Sequence, residues 1–274
     1  MTNLKPTSLL ISAAAALLAA PLLAAAYPAL ANGAAKAKGL EIAKEIDKRD
    51  LGFVNSEVKL SMVLTNRNGE SSTRQLRIKT LEIEDQNVGD KSLSIFDHPR
   101  DVKGTAFLSY TKILDPDDQW LYLPALKRVK RISSANKSGP FVGSEFAYED
   151  LTSFEVKKYK YKWLKDEACG ALTCFVTERV PLYEESGYTR QVTWVDTAEY
   201  RIQKVEFYDR KEELLKTLVS SDFKQYLGKY WRPHTMKMEN HQTGKKTTLK
   251  FTEYKFRQNI KESDFTKNRL KRVR

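Results

Sequence analysis

The sequence predicts a mainly β protein: one long antiparallel sheet of about eleven strands that curls into a barrel or half-barrel beneath an N-terminal amphipathic helix and loops. Three observations lead there. From Phe53 onward, short runs of alternating apolar and polar residues recur about every ten to fifteen residues. Turn signals separate these runs, and no helical pattern lies between them, which argues a sequential meander and not βαβ units.

Residues 1–31 read as a secretory signal peptide, with Lys5 in the n-region, an Ala/Leu-rich stretch from Leu9 to Ala26, and Ala29-Leu30-Ala31 as the cleavage box. The competing reading is a membrane anchor, since the stretch approaches the roughly 18 residues of a span, but Pro21 and Pro28 interrupt it. The mature chain is expected to begin near Asn32 and to form one domain over 32–274, because no Pro/Gly/Ser-rich linker divides it. Ala34 to Asp50 then reads as a helix with Leu40, Ile42, Ala43 and Ile46 on one side, ended by Gly52.

Val58, Leu60, Met62 and Leu64 alternate with Lys59, Ser61 and Thr65 as the first strand, and the Asn-Gly pair in Asn66 to Glu70 marks a hairpin turn. In the returning strand, Thr73 to Asp85, apolar parity switches between Ile78 and Leu81. That implies a bulge, or a strand whose ends are buried on opposite faces. Further strands are expected at Lys91 to Phe96, Gly104 to Leu114 and 119–126, and then at Phe154 to Leu164, Leu172 to Val180, Tyr188 to Val195 and Arg201 to Asp209. Leu214 to Gln225, Tyr230 to Asn240 and Thr247 to Arg257 complete the set, and Phe265 and Leu270 are placed to pin the basic C-terminal tail.

The net charge of +12 favours anionic partners. Export excludes nucleic acid and leaves a membrane surface or an acidic protein. Cys169 and Cys174 fall in the exported part, where a disulfide is the expected state, contributing on the order of 2 kcal/mol for so short a loop. A redox-active pair is the alternative, but the spacing is not C-x-x-C. His98, His234 and His241 lie beside no nucleophile and lack metal-ligand spacing, so neither a catalytic triad nor a metal site is expected, and no cofactor. Glu145, Glu149 and Asp150 are the carboxylates open to a glycosidase-like reading, and nothing in their pattern singles out an acid and a base.

The stretch from Asp115 to Leu151 is the densest in aromatic, basic and glycine residues. The strands just before and within it are apolar on both parities: Ala106, Leu108 and Tyr110 against Phe107 and Ile113, and Trp120 and Tyr122 against Leu121 and Leu123. A sheet with two apolar faces needs two covers. The helix is expected to supply one, and a loop, a partner or a bound lipid the other.

Trp120-Leu121-Tyr122-Leu123-Pro124-Ala125-Leu126 with Arg128-Val129-Lys130-Arg131-Ile132, followed by Gly143-Ser144-Glu145-Phe146-Ala147-Tyr148-Glu149-Asp150-Leu151, resembles the signature of bacterial outer-membrane lipoprotein-sorting proteins of the LolA-like superfamily. It is most similar to the branch found with RND-type exporters, and Asp101-Val102-Lys103-Gly104-Thr105 and Asp264-Phe265-Thr266 extend the resemblance over nearly the whole mature chain. The resemblance implies a half-open barrel closed by helices, whose hydrophobic cavity shelters acyl chains of lipids or lipoproteins crossing the periplasm. It also implies an RND-type inner-membrane exporter as a partner. On this reading Phe107, Tyr110, Trp120, Tyr122 and Phe146 are expected to line or gate the cavity, and Lys127, Arg128, Lys130 and Arg131 to meet anionic headgroups or an acidic partner. Protection of a bare strand edge is the other reading of the basic cluster. An accessory or sensing module on the same fold, with no cargo, is the alternative function.

Overall fold

The computed structural model describes residues 1, 2, 21–85 and 88–272, with side chains from Ala31 onward. The expected signal segment therefore lies mostly outside the described residues. Among the described residues no helix is long and apolar enough to cross a membrane.

Among the described residues, helix α1 (Pro21–Asp50) is followed by thirteen strands rather than about eleven. They are β1 (Asn55–Thr65), β2 (Ser71–Leu81), β3 (Val88–His98), β4 (Ala106–Lys112), β5 (Asp118–Leu123), β6 (Arg128–Ile132), β7 (Tyr159–Cys169), β8 (Leu172–Pro181), β9 (Arg190–Asp196), β10 (Ile202–Tyr208), β11 (Leu214–Tyr226), β12 (Tyr230–Asn240) and β13 (Lys246–Phe256), with a last helical turn, α2 (Lys267–Leu270). They form a single sheet in the order β6-β5-β4-β3-β2-β1-β13-β12-β11-β10-β9-β8-β7. Every neighbour is antiparallel, and β1 pairs with β13 to join the two halves of the meander. The sheet does not close, so β6 and β7 are its edges. Register shifts at Lys59/Leu60, Gln75/Leu76, Trp163/Lys165 and Phe207/Tyr208 add local twist and help it curl.

Local chemistry sets the turns. The Asn66 carboxamide accepts from the Asn68 and Glu70 amides at 2.9 and 3.0 Å, and Gly69 takes φ of 88°, which fixes the first hairpin. Cys169 and Cys174 are disulfide-bonded across the β7–β8 hairpin, with Cα atoms 5.9 Å apart. The parity switch in β2 resolves as a strand buried at opposite faces: Leu76 and Ile78 belong to the inner cluster and Leu81 to the outer one.

The inner face carries the main core, including Leu60, Met62, Leu76, Phe96, Phe107, Val205, Phe207, Leu218, Met238 and Leu249. Its cover over most strands is the connection between the two sheet edges, residues 133–158, which lies across the face as a plug. Phe141, 1% exposed, sits 5.7 Å from Phe96, 5.4 Å from Phe107 and 5.7 Å from Tyr148, ring centre to ring centre. The outer face of β2–β6 is covered by the C-terminal segment: Ile260, Phe265 and Leu270 pack on Leu93, Ile95, Leu108 and Trp120. Both faces of β4 and β5 are thus covered by the chain itself. The helix, expected over them, covers other strands and packs chiefly on β7.

Candidate functional site

Three arrangements bear on function: the plug and its anchors, the seam under α1, and the basic edge.

The plug is held by charge as well as by aromatic packing. Lys216 on β11 places Nζ 2.6 Å from Asp150 Oδ2 and donates to the Glu145 carbonyl at 2.9 Å, with both side chains of the ion pair under one-tenth exposed. Asp150 also accepts from Tyr188 Oη at 2.8 Å and from the Ala147 amide at 2.7 Å. Glu149 accepts from Ser186 Oγ and the Gly187 amide at 2.9 and 2.8 Å, and Asn240 Nδ2 donates to Glu145 Oε2 at 2.8 Å. Burial pushes the Glu149 carboxyl up. The three carboxylates open to a glycosidase-like reading are therefore each engaged in fastening the plug, Glu145 and Asp150 to β12 and β11 and Glu149 to the β8–β9 connection.

Helix α1 lies on the inner face of the β7–β10 side. Gly39, Ile42 and Ala43 are buried and Ile46 is half-buried, the i, i+3, i+4, i+7 spacing of a single helical stripe. Leu40, expected in that stripe, is 37% exposed; one residue past Gly39, it is rotated about 100° out of the contact. Gly39 is required, because a Cβ there would fall 2.7 Å from the backbone of Lys162 and Trp163. The outward contacts of the helix include ion pairs that solvent reaches, Lys38–Asp166 at 3.4 Å and Arg49–Glu199 at 3.5 Å, which contribute little, and the same two cations lie 3.7 and 4.5 Å from the Trp163 and Tyr200 ring centres.

The seam between helix and sheet is lined by Ile42, Ala43 and Ile46 above and by Phe154, Tyr161, Thr177, Arg179, Thr193 and Ile202 below. It encloses space for about one water molecule. Cross-strand register builds its floor: Tyr161 opposes Arg179, Arg179 opposes Gln191, and Thr177 opposes Thr193. Thr193 in turn opposes Val205 of the inner core, which assigns the row to the inner face. Tyr161 Oη and Thr193 Oγ1 are buried and, among the described residues, without a hydrogen-bond partner. A buried hydroxyl left so costs about 1–3 kcal/mol.

At the C-terminal end of α1, Asp50 faces Asp90 on β3, and Asp47 faces Glu155 at the end of the plug. Burial raises the Asp90 carboxyl to about 6, although the Ile83 amide and Ser153 hydroxyl hydrogen-bond to it. Burial and the Asp90 charge together raise Glu155 to about 7. Both groups bind protons more tightly folded than unfolded, so their contribution to stability is full below about pH 4 and is lost as pH rises through 6 to 7. The thermal midpoint is expected to be about 4–8 °C higher at pH 5 than at pH 8, roughly 2 kcal/mol. In an Asp90→Asn/Glu155→Gln variant the difference should largely vanish; a wild-type midpoint that rises with pH over this interval would contradict the assignment.

The five aromatics singled out from sequence fall into two groups on opposite faces of the sheet. Phe107 and Phe146 belong to the inner core under the plug. Trp120, with Tyr110 and Tyr122 packed beside it, lies on the outer face under the C-terminal segment, and Tyr110 Oη donates to the Phe265 carbonyl. Parity is the reason: Leu108 and Trp120 oppose each other in one cross-strand row, Phe107 and Leu121 in the next, and alternate rows face opposite ways. The basic cluster lies on edge strand β6 and the turn before it, with Lys127, Arg128, Lys130 and Arg131 all exposed and Arg131 paired to Asp118 at 2.7 Å. Leu126 beside them is 62% exposed. His234 stacks on Tyr226, and His241 bonds Thr217 at 2.7 Å beyond the end of β12.

A family model described as "Uncharacterized protein" matches residues 89–272. Among solved structures, the chain is 58% identical to a domain described as an outer membrane lipoprotein-sorting protein from Vibrio parahaemolyticus, over 86% of this chain and 99% of that one, with a TM-score of 0.84. A DUF1329 family protein from Desulfovibrio piger is 28% identical over 86% and 99%, with a TM-score of 0.82. A LolA superfamily protein from Nitrosomonas europaea, 21% identical over 83% and 97% with a TM-score of 0.67, shares the fold. Comparison with curated proteins gives no match.

Proposed function

The chain belongs to the family of outer-membrane lipoprotein-sorting proteins with a LolA-like fold, and from that premise we propose that it is a periplasmic carrier that shelters acyl chains of lipids or lipoproteins on its inner face and moves them toward the outer membrane. The observation that carries this reading is the seam under α1. A helix lies over a partly apolar seam and is held there by a narrow buried stripe of Gly39, Ile42 and Ala43 and by ion pairs that water screens. Burying an acyl chain of about 14 to 16 carbons contributes on the order of 10 kcal/mol at roughly 0.8 kcal/mol per CH₂. The closed seam holds about one water molecule, so loading requires α1 to swing out.

In this reading residues 1–31 are a cleaved signal peptide. Phe107 and Phe146 form the floor that a chain reaches when the plug yields, while Tyr110, Trp120 and Tyr122 hold the C-terminal segment on the other face. Lys127, Arg128, Lys130 and Arg131, with Leu126 among them, meet the anionic membrane surface during transfer. Mass spectrometry of protein taken natively from the periplasm should find bound acyl lipid, and replacing the four basic residues by Gln should weaken binding to anionic vesicles severalfold. Absence of both bound lipid and acyl-probe binding would sink the carrier reading; unchanged vesicle binding would leave the cluster only the protection of a strand edge.

A second reading has its own observation. The concavity is already filled by Phe141, Phe146 and Tyr148, as suits an accessory module of an RND-type exporter, or an envelope sensor, that has no cargo. Stoichiometric capture of an integral-membrane exporter by lipid-free protein would favour it.

A further inference from the structure

Resting on the carrier reading, we propose that the seam under α1 receives the acidic head of a single-chain amphiphile: Arg179, Tyr161 and Thr193 hold its carboxylate, and its chain runs along Ile42, Ile46 and Phe154.

The polar floor of the seam is built for a partner that the chain does not itself supply. Tyr161 is 8% exposed and Thr193 4%, and both hydroxyls stand without a hydrogen-bond partner among the described residues. Buried polar groups in folded proteins are nearly always paired, so two orphans lining one seam call for a specific explanation. Arg179, directly opposite Tyr161, uses Nε to bond Gln191 Oε1 at 2.7 Å. Its guanidinium lies 5.3 Å from the Phe154 ring centre and 4.9 Å from that of Tyr159. Its other donors and its charge have no acceptor and no ion-pair partner among the described residues.

A trapped water can pair with a hydroxyl but brings no charge to the half-buried Arg179 guanidinium. A carboxylate answers all three groups. It takes a paired contact from the planar guanidinium, the strongest geometry available to arginine, and accepts from both hydroxyls. The apolar side of the seam, running along α1 to Ile46, has the composition for one hydrocarbon chain. A neutral head of the same length would leave Arg179 as it stands, so the site discriminates by charge.

The test is competition by hexadecanoate and by hexadecan-1-ol against a fluorescent acyl probe on the full mature protein. The acid is expected to bind about tenfold or more tighter than the alcohol, the ratio associated with hydrogen bonds to a charged group. Arg179→Gln should erase that preference by bringing the acid down to the affinity of the alcohol. Tyr161→Phe and Thr193→Val should each weaken the acid severalfold while the ligand-free thermal midpoint stays level or rises, because each removes an unpaired hydroxyl. Equal binding of acid and alcohol, or a preference that survives Arg179→Gln, overturns this inference and leaves the carrier reading standing. A fall of several degrees in the ligand-free midpoint of both hydroxyl variants also overturns it, by making the hydroxyls internally satisfied. If neither compound displaces a bound probe, this inference falls and the carrier reading stands; if the probe itself fails to bind and no lipid co-purifies, both fall together.

Discussion

Lys216→Ala is expected to destabilise the protein by about 3–5 kcal/mol, lowering the thermal midpoint by roughly 10 °C or more. The size follows from what remains after the lysine is gone. Asp150 stays buried, its side chain 7% exposed, and keeps only the Tyr188 hydroxyl and the Ala147 amide. The Glu145 carbonyl loses its donor as well. Part of the penalty is that of an uncompensated buried charge, so Lys216→Met combined with Asp150→Leu should recover that part, a response no surface ion pair would give, while the Glu145 carbonyl, Ala147 amide and Tyr188 hydroxyl stay without these partners. Proteolysis offers a second measurement. Cleavage between Ser133 and Ser153 should accelerate in Lys216→Ala before the rest of the sheet opens, because this pair fastens the plug to β11. A loss under about 1 kcal/mol, with no change in cleavage, would show that aromatic packing alone holds the plug.

Much of the sheet was legible in the sequence because its signals are local. Period-two runs, the Asn66–Glu70 turn and the Cys169–Cys174 clip need only neighbours along the chain. Phe265 and Leu270 were identifiable as pins because they are isolated apolar residues in a basic tail, and both are fully buried. Strand β6 was legible only as a basic edge: three of its five residues are charged, and only Ile132 is buried. The site was legible only in part, since its geometry depends on which rows face which cover. Tyr161, Arg179 and Thr193 come from three strands and acquire meaning through register alone. The helix stripe read as Leu40, Ile42, Ala43 and Ile46 pointed to a cover but not to Gly39, whose missing side chain lets α1 approach β7 closely. Aromatic density drew attention to Trp120 and Tyr122, but density does not say which face a strand turns inward.

Phe141→Ala should move stability and acyl binding in opposite directions. Phe141 is 1% exposed among Phe96, Phe107 and Tyr148, and truncating such a ring costs about 3–5 kcal/mol from lost transfer energy and the cavity left behind. That cavity lies on the inner face and is walled by rings and aliphatic side chains, with Leu60, Leu76 and Leu121 in the same cluster. An apolar void of this kind stays dry and accepts an apolar guest. If the plug occupies the place an acyl chain takes in a loaded carrier, removing its central ring eliminates the competitor. The variant should then bind an acyl probe severalfold more tightly than wild type, and saturating probe should restore part of the lost thermal midpoint by mass action. A cargo-free module predicts the same loss of stability but no restoration, because its concavity would have no route by which a long chain reaches the void. The sign of the probe's effect on the Phe141→Ala midpoint therefore separates the two functions on one variant, independently of the headgroup chemistry at Arg179.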